Sequence, residues 1–210
     1  MTPEEVVNAI GQHKASAILR TKDADVAEPA MEAAVRAGFR VIEFTLTTPN
    51  AYALIEKFSK RDELIVGAGT VMTLQQAMAA INAGARYLVS PIVDETIIDA
   101  ANSFDVPMMP GTHTPTEMMR AHRAGAHLIK LFPAPGTGPA FVKATLGPLP
   151  FLRIVPTNGV TADNAAAFLQ AGAFAVGFVA PVFDSADLAA HNCDAIEQRA
   201  TTVLRAVAEA

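Results

Sequence analysis

The stretch TPTEMMRAHRAGAHLIKLFP, residues 114–133, contains the unit from which this chain is built. Its first residues, TPTE, place a small polar residue where a helix should start. A helical segment then runs to Gly125, and a glycine just past a helix end supplies the left-handed conformation that other residues resist. The apolar run HLIKLFP follows directly. The stretch therefore predicts a helix that leads at once into a buried strand.

The same unit recurs along the chain. Three further helical segments end in Ala-Gly, at Gly38, Gly84 and Gly172. Strands that are buried on both faces show continuous apolar runs instead of alternation, and eight such runs are present: 16–20, 40–46, 64–70, 86–91, 106–111, 127–133, 152–157 and 174–179. Eight strands alternating with helices predict an α/β fold, the (β/α)8 TIM barrel.

The ends of the chain extend this pattern without adding a second unit. A first helix over residues 3–13 precedes strand one, and we expect it to close the barrel floor. The last helical stretch, roughly 185–209, is expected to cap or wrap the barrel. Since no linker or composition break interrupts the chain, residues 1–210 are predicted to form a single barrel domain.

Composition narrows the classes of partner and compartment. The net charge is −5 without a basic block, which argues against nucleic acid or an anionic membrane as the main partner. The single cysteine, Cys193, excludes an internal disulfide and fits a reducing, cytoplasmic setting. The acidic N-terminus lacks the features of a signal peptide. The apolar segment 165–183 is long enough to span a bilayer, but Gly172, Gly177 and Pro181 predict a helix, a turn and a buried strand instead.

Two charged residues stand in the middle of predicted strands. Glu43 and Lys130 each have apolar neighbours on both sides, so inward-facing side chains would meet in one low-dielectric cavity near the active-site end of the barrel. Desolvation lowers the pKa of a lysine, and a neutral amine can form a Schiff base with a ketone. A nearby carboxylate can move the protons that this reaction requires. The sequence thus predicts a nucleophilic Lys130 with Glu43 as proton shuttle; the alternative is a structural Lys–Glu ion pair.

Six segments, in order and at barrel spacing, resemble the 2-keto-3-deoxy-6-phosphogluconate / 4-hydroxy-2-oxoglutarate aldolase family. They are RVIEFTL (40–46), IVGAGTV (65–71), LVSP (88–91), MPGTHTPTE (109–117), LIKLFPA (128–134) and PTNGV (156–160). The resemblance covers nearly the whole chain. It implies a class I aldolase that needs no metal or other cofactor, acts on a small 2-oxo acid, releases pyruvate and assembles as a homotrimer.

The resemblance also implies roles for residues at the strand ends. Lys130 would form the imine, and Glu43 would shuttle protons through a bound water. Thr70 would bind the pyruvyl carboxylate or a water, while Pro91 and Phe132 would form the apolar wall around the imine. Thr157 would contact the distal hydroxyls or the pyruvyl end. Three further substrate-binding candidates lie nearby: Asn158, Gly159 and His113, the last with an ordinary loop position as its alternative.

One departure from the family concerns the residue that binds the carboxylate. Many members have an arginine four residues after the glutamate, where this chain has Thr47. The 2-keto-3-deoxy-6-phosphogalactonate aldolase branch instead has an arginine at the end of strand one, and here Arg20 lies there. Its fork of donors suits a carboxylate or a phosphate. Both Arg20 and Thr47 are therefore substrate-binding candidates, with a surface salt bridge as the alternative for Arg20.

A second departure concerns phosphate. Members that take phosphorylated substrates usually have a Gly-Ser step after strand eight, which offers N–H donors to the anion. This chain has Phe178 and Val179 there, Pro181 removes a further donor, and Asn158 replaces the first glycine of the strand-seven Gly-Gly pair. The sequence predicts weak phosphate binding, which leaves open an unphosphorylated, shorter or differently substituted substrate.

Three functions stay open from the sequence. The first is cleavage of a 2-keto-3-deoxy or 4-hydroxy-2-oxo acid to pyruvate and an aldehyde. The second is decarboxylation, through the same imine, of a β-keto acid such as oxaloacetate. The third is a binding barrel without catalysis, which the retention of both Lys130 and Glu43 disfavours. The histidines show no metal-ligand spacing, and Lys143, in a helical segment, is expected to be an ordinary solvated lysine.

Overall fold

The computed structural model describes all residues from 1 to 210 and confirms the barrel. Its eight parallel strands are β1 (Ala15–Leu19), β2 (Val41–Thr45), β3 (Ile65–Gly69), β4 (Tyr87–Ser90), β5 (Met108–Thr112), β6 (Ile129–Leu131), β7 (Ile154–Pro156) and β8 (Val176–Phe178). Each strand pairs with the next along the chain, and β1 pairs with β8. A single bridge between Thr157 and Gly177 joins β7 to β8 and completes the circle.

Ten helices accompany the strands. They are α1 (Pro3–His13), α2 (Ala24–Ala37), α3 (Ala51–Phe58), α4 (Leu74–Asn82), α5 (Glu95–Ser103), α6 (Pro115–Arg123), α7 (Pro139–Leu146), α8 (Ala162–Gln170), α9 (Ser185–Ala189) and α10 (Cys193–Ala208). The helix-start and helix-end signals act as predicted in the quoted stretch. Thr114 and Glu117 form a reciprocal capping box at the start of α6. Gly125 has φ of 91° where the chain turns into β6.

Two boundary predictions are corrected. The final helical stretch, 185–209, is two helices, because His191 adopts φ of 51° and Asn192 caps α10 by accepting a hydrogen bond from Ala195 N–H. The predicted strand over 127–133 shortens to the three residues of β6. Segment 165–183 is a helix, a turn and a strand, as predicted. The chain contains no helix that is both long and apolar enough to cross a membrane.

Helix α1 closes the floor of the barrel, as predicted. Val6, Val7 and Ile10 of α1 pack in one cluster with inward-facing strand residues: Val41, Ile65, Tyr87, Val89, Met109, Leu128, Val155 and Ala175. Alternate strand residues face the outer helices in a separate, larger core. Since side chains alternate along a strand, the inward position two residues beyond Val41 belongs to Glu43, and the one beyond Leu128 belongs to Lys130. Both charged residues therefore lie above an apolar floor.

Candidate active site

Lys130 projects into the barrel from β6. Its neighbours Ile129 and Leu131 face the outer core, and Lys130 itself is only 7% exposed. The Nζ atom lies 4.7 Å from the centroid of the Phe132 ring. The ring thus forms an apolar wall beside the amine, and its negative face attracts the amine when that is charged.

Glu43 reaches the same interior from β2. The residue is 2% exposed, and its carboxyl group is surrounded by charge from Lys130 and Arg20 but by no protein hydrogen-bond donor. No protein group donates to these oxygens, yet they are not among the enclosed polar atoms left without a partner, so they retain access to solvent. Its free oxygens are consequently available to water or to a substrate.

Burial shifts the pKa values of both groups in the direction that imine chemistry needs. Burial raises the pKa of Glu43, against the opposing attraction of Lys130 and Arg20. Burial lowers the pKa of Lys130, while Glu43 opposes this shift and Arg20 adds to it. Both pKa shifts favour the uncharged forms, a carboxylic acid and a free amine. A free amine is the nucleophile for a carbonyl carbon, and an acid beside it can protonate the carbonyl oxygen.

Arg20 directly follows β1 at the mouth of the barrel, the end formed by the carboxyl ends of the strands. It is hydrogen-bonded to the residue that follows β3. Its Nη2 donates a hydrogen bond of 3.1 Å to Thr70 Oγ1. Thr70 has φ of 62°, a left-handed conformation that is rare for a β-branched residue and that often marks functional sites. The guanidinium donates to this hydroxyl, its charge acts on both Glu43 and Lys130, and it forms no salt bridge in the structure.

Thr47 belongs to a chain of hydroxyls next to Arg20. Its Oγ1 lies 3.0 Å from Thr45 Oγ1, which in turn lies 3.2 Å from Thr48 Oγ1. Thr48 then donates to the carbonyl oxygen of Leu19, the residue before Arg20, over 3.4 Å. Since β1 and β2 are adjacent, positions 20 and 47 open on the same sector of the mouth. This adjacency explains physically how a guanidinium from either position can serve one cavity.

Pro91 and His113 lie on the β4–β5 side of the mouth. Both line a small cavity together with Phe132. His113 Nδ1 is 3.0 Å from Pro133 O, and because a carbonyl only accepts, this nitrogen carries the hydrogen. The structure therefore places His113 against the segment that follows Lys130, where it contacts backbone.

Thr157, Asn158 and Gly159 follow β7, the strand next to β6. Thr157 is buried at the β7–β8 closure, while Asn158 and Gly159 are exposed with φ of 61° and 113°. Ala134 N–H donates to the carbonyl oxygens of Thr157, at 3.2 Å, and Asn158, at 2.8 Å. The loops after β6 and β7 are thereby held together beside Lys130.

Phe178 corrects the argument about phosphate. Its side chain is fully buried, packs edge-on against Phe39 at 6.4 Å between ring centroids, and belongs to the outer core. Alternation along β8 puts Gly177 inward and Phe178 outward. Phe178 therefore does not fill an anion-binding cup. Val179, which is partly exposed just after β8, Pro181 and Asn158 remain as reasons to expect weak phosphate binding.

Tyr87 is a residue of this site that no motif in the sequence singled out. It is fully buried inside the barrel, and its hydroxyl donates to Ile42 O over 3.1 Å. Burial, with a contribution from the charge of Glu43, raises its pKa well above the ordinary value. The alternation of side chains along the strands could have indicated it. Tyr87 and Val89 both face inward on β4, and the inward position beside Tyr87 on β3 is a glycine, Gly67.

Known proteins are similar to this chain in both sequence and fold. The family model for KDPG and KHG aldolase matches residues 6–199. The chain is 37% identical to 2-dehydro-3-deoxy-phosphogluconate aldolase of Pseudomonas aeruginosa over 70% of its length and 68% of the relative's. It is 30% identical to 2-dehydro-3-deoxy-6-phosphogalactonate aldolase of Escherichia coli over 92% of its length and 94% of the relative's.

A solved structure extends the comparison to chemistry. KDPG aldolase from Legionella pneumophila, with pyruvate captured at low pH as a covalent carbinolamine, superposes with a TM-score of 0.85 at 28% identity. The superposition covers 97% of this chain and 98% of that one. Fold, strand-end motifs and family match agree over the same residues, and so the chain belongs to the KDPG and KHG aldolase family.

Proposed function

We propose that this chain is a class I aldolase in which Lys130 Nζ forms an imine with a 2-oxo acid and Glu43 moves the protons. Family membership makes the chain a pyruvate-forming carbon–carbon lyase. The observation that carries the residue assignment is the pair itself. Lys130 and Glu43 are the charged side chains buried inside the barrel, and their pKa values are shifted toward the free amine and the neutral acid.

The reaction can be written through these two groups. The Lys130 amine attacks the C2 carbonyl carbon, the Glu43 acid protonates the departing oxygen, and water leaves to give a protonated imine. The C3–C4 bond then breaks, its electron pair moves into the imine system, and Glu43, now a carboxylate, takes the C4 hydroxyl proton as the aldehyde forms. Reprotonation of C3 and attack of water on the imine release pyruvate and the free amine.

The first test measures products. We expect a 2-oxo-3-deoxy six-carbon acid to yield pyruvate and an aldehyde in equal amounts, without carbon dioxide. The imine withdraws electrons from either C–C bond, so oxaloacetate is the competing substrate to compare. Pyruvate and carbon dioxide from oxaloacetate at a higher kcat/KM than any aldol cleavage would favour the decarboxylase. Supplying the six-carbon acid with and without a 6-phosphate tests the predicted weak phosphate binding in the same assay.

Arg20 is proposed as the receptor for the substrate carboxylate. Its guanidinium lies at the end of β1, it is held by Thr70, and its charge acts on Lys130 and Glu43. A charge-assisted pair of this kind contributes about 1.5–3 kcal/mol.

We expect Arg20→Met to raise the KM for the 2-oxo acid by at least about tenfold, since about 1.4 kcal/mol is a factor of ten in affinity. The same substitution at Arg36, which pairs with Glu197 on the outer helices, is the control and should leave KM unchanged. Steady-state kinetics provide the measurement. Equal KM values for the two variants would remove Arg20 from the carboxylate site.

The remaining assignments follow from the same geometry. Thr70 positions Arg20, while Pro91 and Phe132 enclose the imine. Thr157, Asn158 and Gly159 are proposed to contact the substrate, because they directly follow β7, the strand that pairs with the strand of Lys130. His113 supports the segment after Lys130 through Pro133.

We infer a homotrimer from the family resemblance. An exposed apolar strip supports an interface between copies: Met72, Leu74 and Met78, on and before α4, are each at least 40% exposed. Apolar side chains grouped in this way usually mark an interaction surface. A sedimentation mass of a single 22.0 kDa chain at micromolar concentration would contradict the assembly.

A further inference from the structure

We propose that Gly69 is a positioning residue for catalysis: the absence of a side chain at this inward position of β3 creates the space that holds the Glu43 carboxyl group. The proposal rests on the proposed role of Glu43 and adds a residue that acts through it. The inward face of β3 carries two glycines, Gly67 and Gly69, between strands that contribute Glu43 on one side and Tyr87 on the other.

The contact at Gly69 is the strongest observation. A Cβ atom at this position would lie 1.9 Å from Glu43 Oε1, 2.7 Å from its Cδ and 3.0 Å from its Cγ. At distances this short one of the two groups must shift, and because the carboxyl group is the far end of a flexible side chain, a Cβ at position 69 would displace it. The Glu43 carboxyl group consequently lies directly against the β3 backbone.

Gly67, two residues earlier on β3, likewise leaves space for a neighbouring side chain, in this case the ring of Tyr87. A Cβ there would lie 2.2 Å from Tyr87 Cζ and 2.5 Å from both adjacent ring carbons. The bare backbone lets the Tyr87 ring lie across β3, where its hydroxyl reaches Ile42 O on β2. Gly67 is the register partner of Glu43, so the ring that lies over Gly67 is next to the base of the Glu43 side chain. Tyr87 is thus part of the floor cluster beneath Glu43.

Backbone conformation does not explain either glycine. Neither has the positive φ that reserves a position for glycine, in contrast with Gly125, Gly159 and Gly172. Both lie in regular strand, where glycine is disfavoured relative to larger residues. Close approach of neighbouring side chains is the remaining physical reason for their presence.

The direction of the Glu43 carboxyl group depends on the space around it, because no protein hydrogen bond holds it. Its carboxyl group has no protein donor, so nothing but packing and the charges of Lys130 and Arg20 fixes its direction. A displacement of about 1 Å is sufficient to cost a hundredfold in rate when a reacting group is misplaced. Filling the space at residue 69 should therefore remove proton transfer while leaving Lys130 in place.

The kinetic test uses Gly69→Ala in the full chain. We expect kcat for pyruvate release to fall at least about a hundredfold, the lower end of the range for lost acid–base catalysis. Borohydride should still trap pyruvate on Lys130. A carboxyl group pushed toward the mouth regains water, so the pKa of Glu43 returns toward its ordinary value. The acidic limb of the kcat–pH profile should then move to lower pH.

Gly136→Ala is the matched control. Gly136 lies in the loop after β6, where an added Cβ meets no atom within 4 Å and φ is not positive. The substitution Gly136→Ala adds the same methyl group without a steric conflict. We therefore expect kcat and the pH profile to stay at wild-type values. A kcat for Gly69→Ala equal to that of Gly136→Ala would overturn the proposal.

A stability cycle covers the case in which Gly69→Ala folds poorly. If the added methyl conflicts with Glu43, its penalty in Tm should be larger in the wild-type background than in a background in which Glu43 is replaced by alanine. Folding of Glu43→Ala/Gly69→Ala where Gly69→Ala alone does not fold would equally support the proposal. An equal loss of Tm in both backgrounds overturns it. Failure of the wild-type protein to form a pyruvate adduct would instead overturn the proposed function.

Discussion

Lys130→Met is expected to abolish the covalent chemistry of this protein. When wild-type protein is incubated with pyruvate and sodium borohydride, mass spectrometry of its digest should show a reduced pyruvyl adduct confined to Lys130. The Lys130→Met variant should show none, and pyruvate release should fall at least about a thousandfold, since loss of a covalent nucleophile removes the whole reaction path. Trapping and turnover are thus measured on the same pair of proteins.

The structure indicates that this variant should still fold. Methionine is close to lysine in length and flexibility, and position 130 is buried beside the Phe132 ring. Glu43 would lose the attraction of Lys130, so its pKa would rise further and the group would stay neutral. A neutral acid is far less costly to bury than a charged one.

Lys143→Met is the control for this experiment. Lys143 is an exposed lysine on α7, the helix that follows β6, so the same substitution there should change neither trapping nor turnover. An adduct on another lysine, or an equal yield from the Lys130→Met variant, would contradict the imine assignment. Absence of an adduct in the wild-type protein would leave the binding barrel as the better interpretation.

The order of the strands and the inward direction of Lys130 and Glu43 could be predicted from the sequence, because both follow from patterns within short segments. Ala-Gly steps such as the one at Gly125 mark where a helix ends and a strand begins, and strand parity then assigns Lys130 and Glu43 to the interior. The floor under them was predictable as well, because an amphipathic helix, residues 3–13, precedes strand one. These inferences need only the spacing of residues within one unit.

Features that depend on contacts between segments far apart in the sequence could not be predicted from such patterns. The bond between Arg20 and Thr70 requires the loops after β1 and β3 to meet above β2, which lies between these strands. It also depends on the left-handed conformation of Thr70, which no motif indicates. The motif after strand eight places Phe178 on the wrong face, because it ignores the parity that Gly177 sets along the strand. The space at Gly69 is visible only once the position of the Glu43 side chain is known.

Glu43→Gln separates the two roles that the buried carboxyl group combines. Glutamine keeps the size of the side chain and fits the space beside Gly69, but it can neither donate nor accept the proton that moves during turnover. We expect kcat for pyruvate release to fall about 10²–10⁴-fold, the range for a lost acid–base group. The borohydride adduct should still form on Lys130, only more slowly, because the amine itself is untouched.

The second role of Glu43 is electrostatic and has a definite sign. Its charge raises the pKa of Lys130, against burial and Arg20, which lower it. Removing that charge should lower the pKa of Lys130 further, so the free amine exists at lower pH. The midpoint of adduct yield against pH, measured at short trapping times, should therefore move to lower pH in Glu43→Gln.

A control at the opposite end of the barrel isolates this effect. Glu5→Gln makes the same change in α1, where glutamine preserves the capping box with Thr2, and it should alter neither kcat nor the trapping midpoint. A midpoint that does not fall in Glu43→Gln would mean that the carboxyl group is already uncharged when the amine titrates. The amine would then owe its low pKa to burial and Arg20 alone, and Glu43 would act only in proton transfer. A drop in kcat with a falling midpoint is the combination that assigns both roles to one buried group.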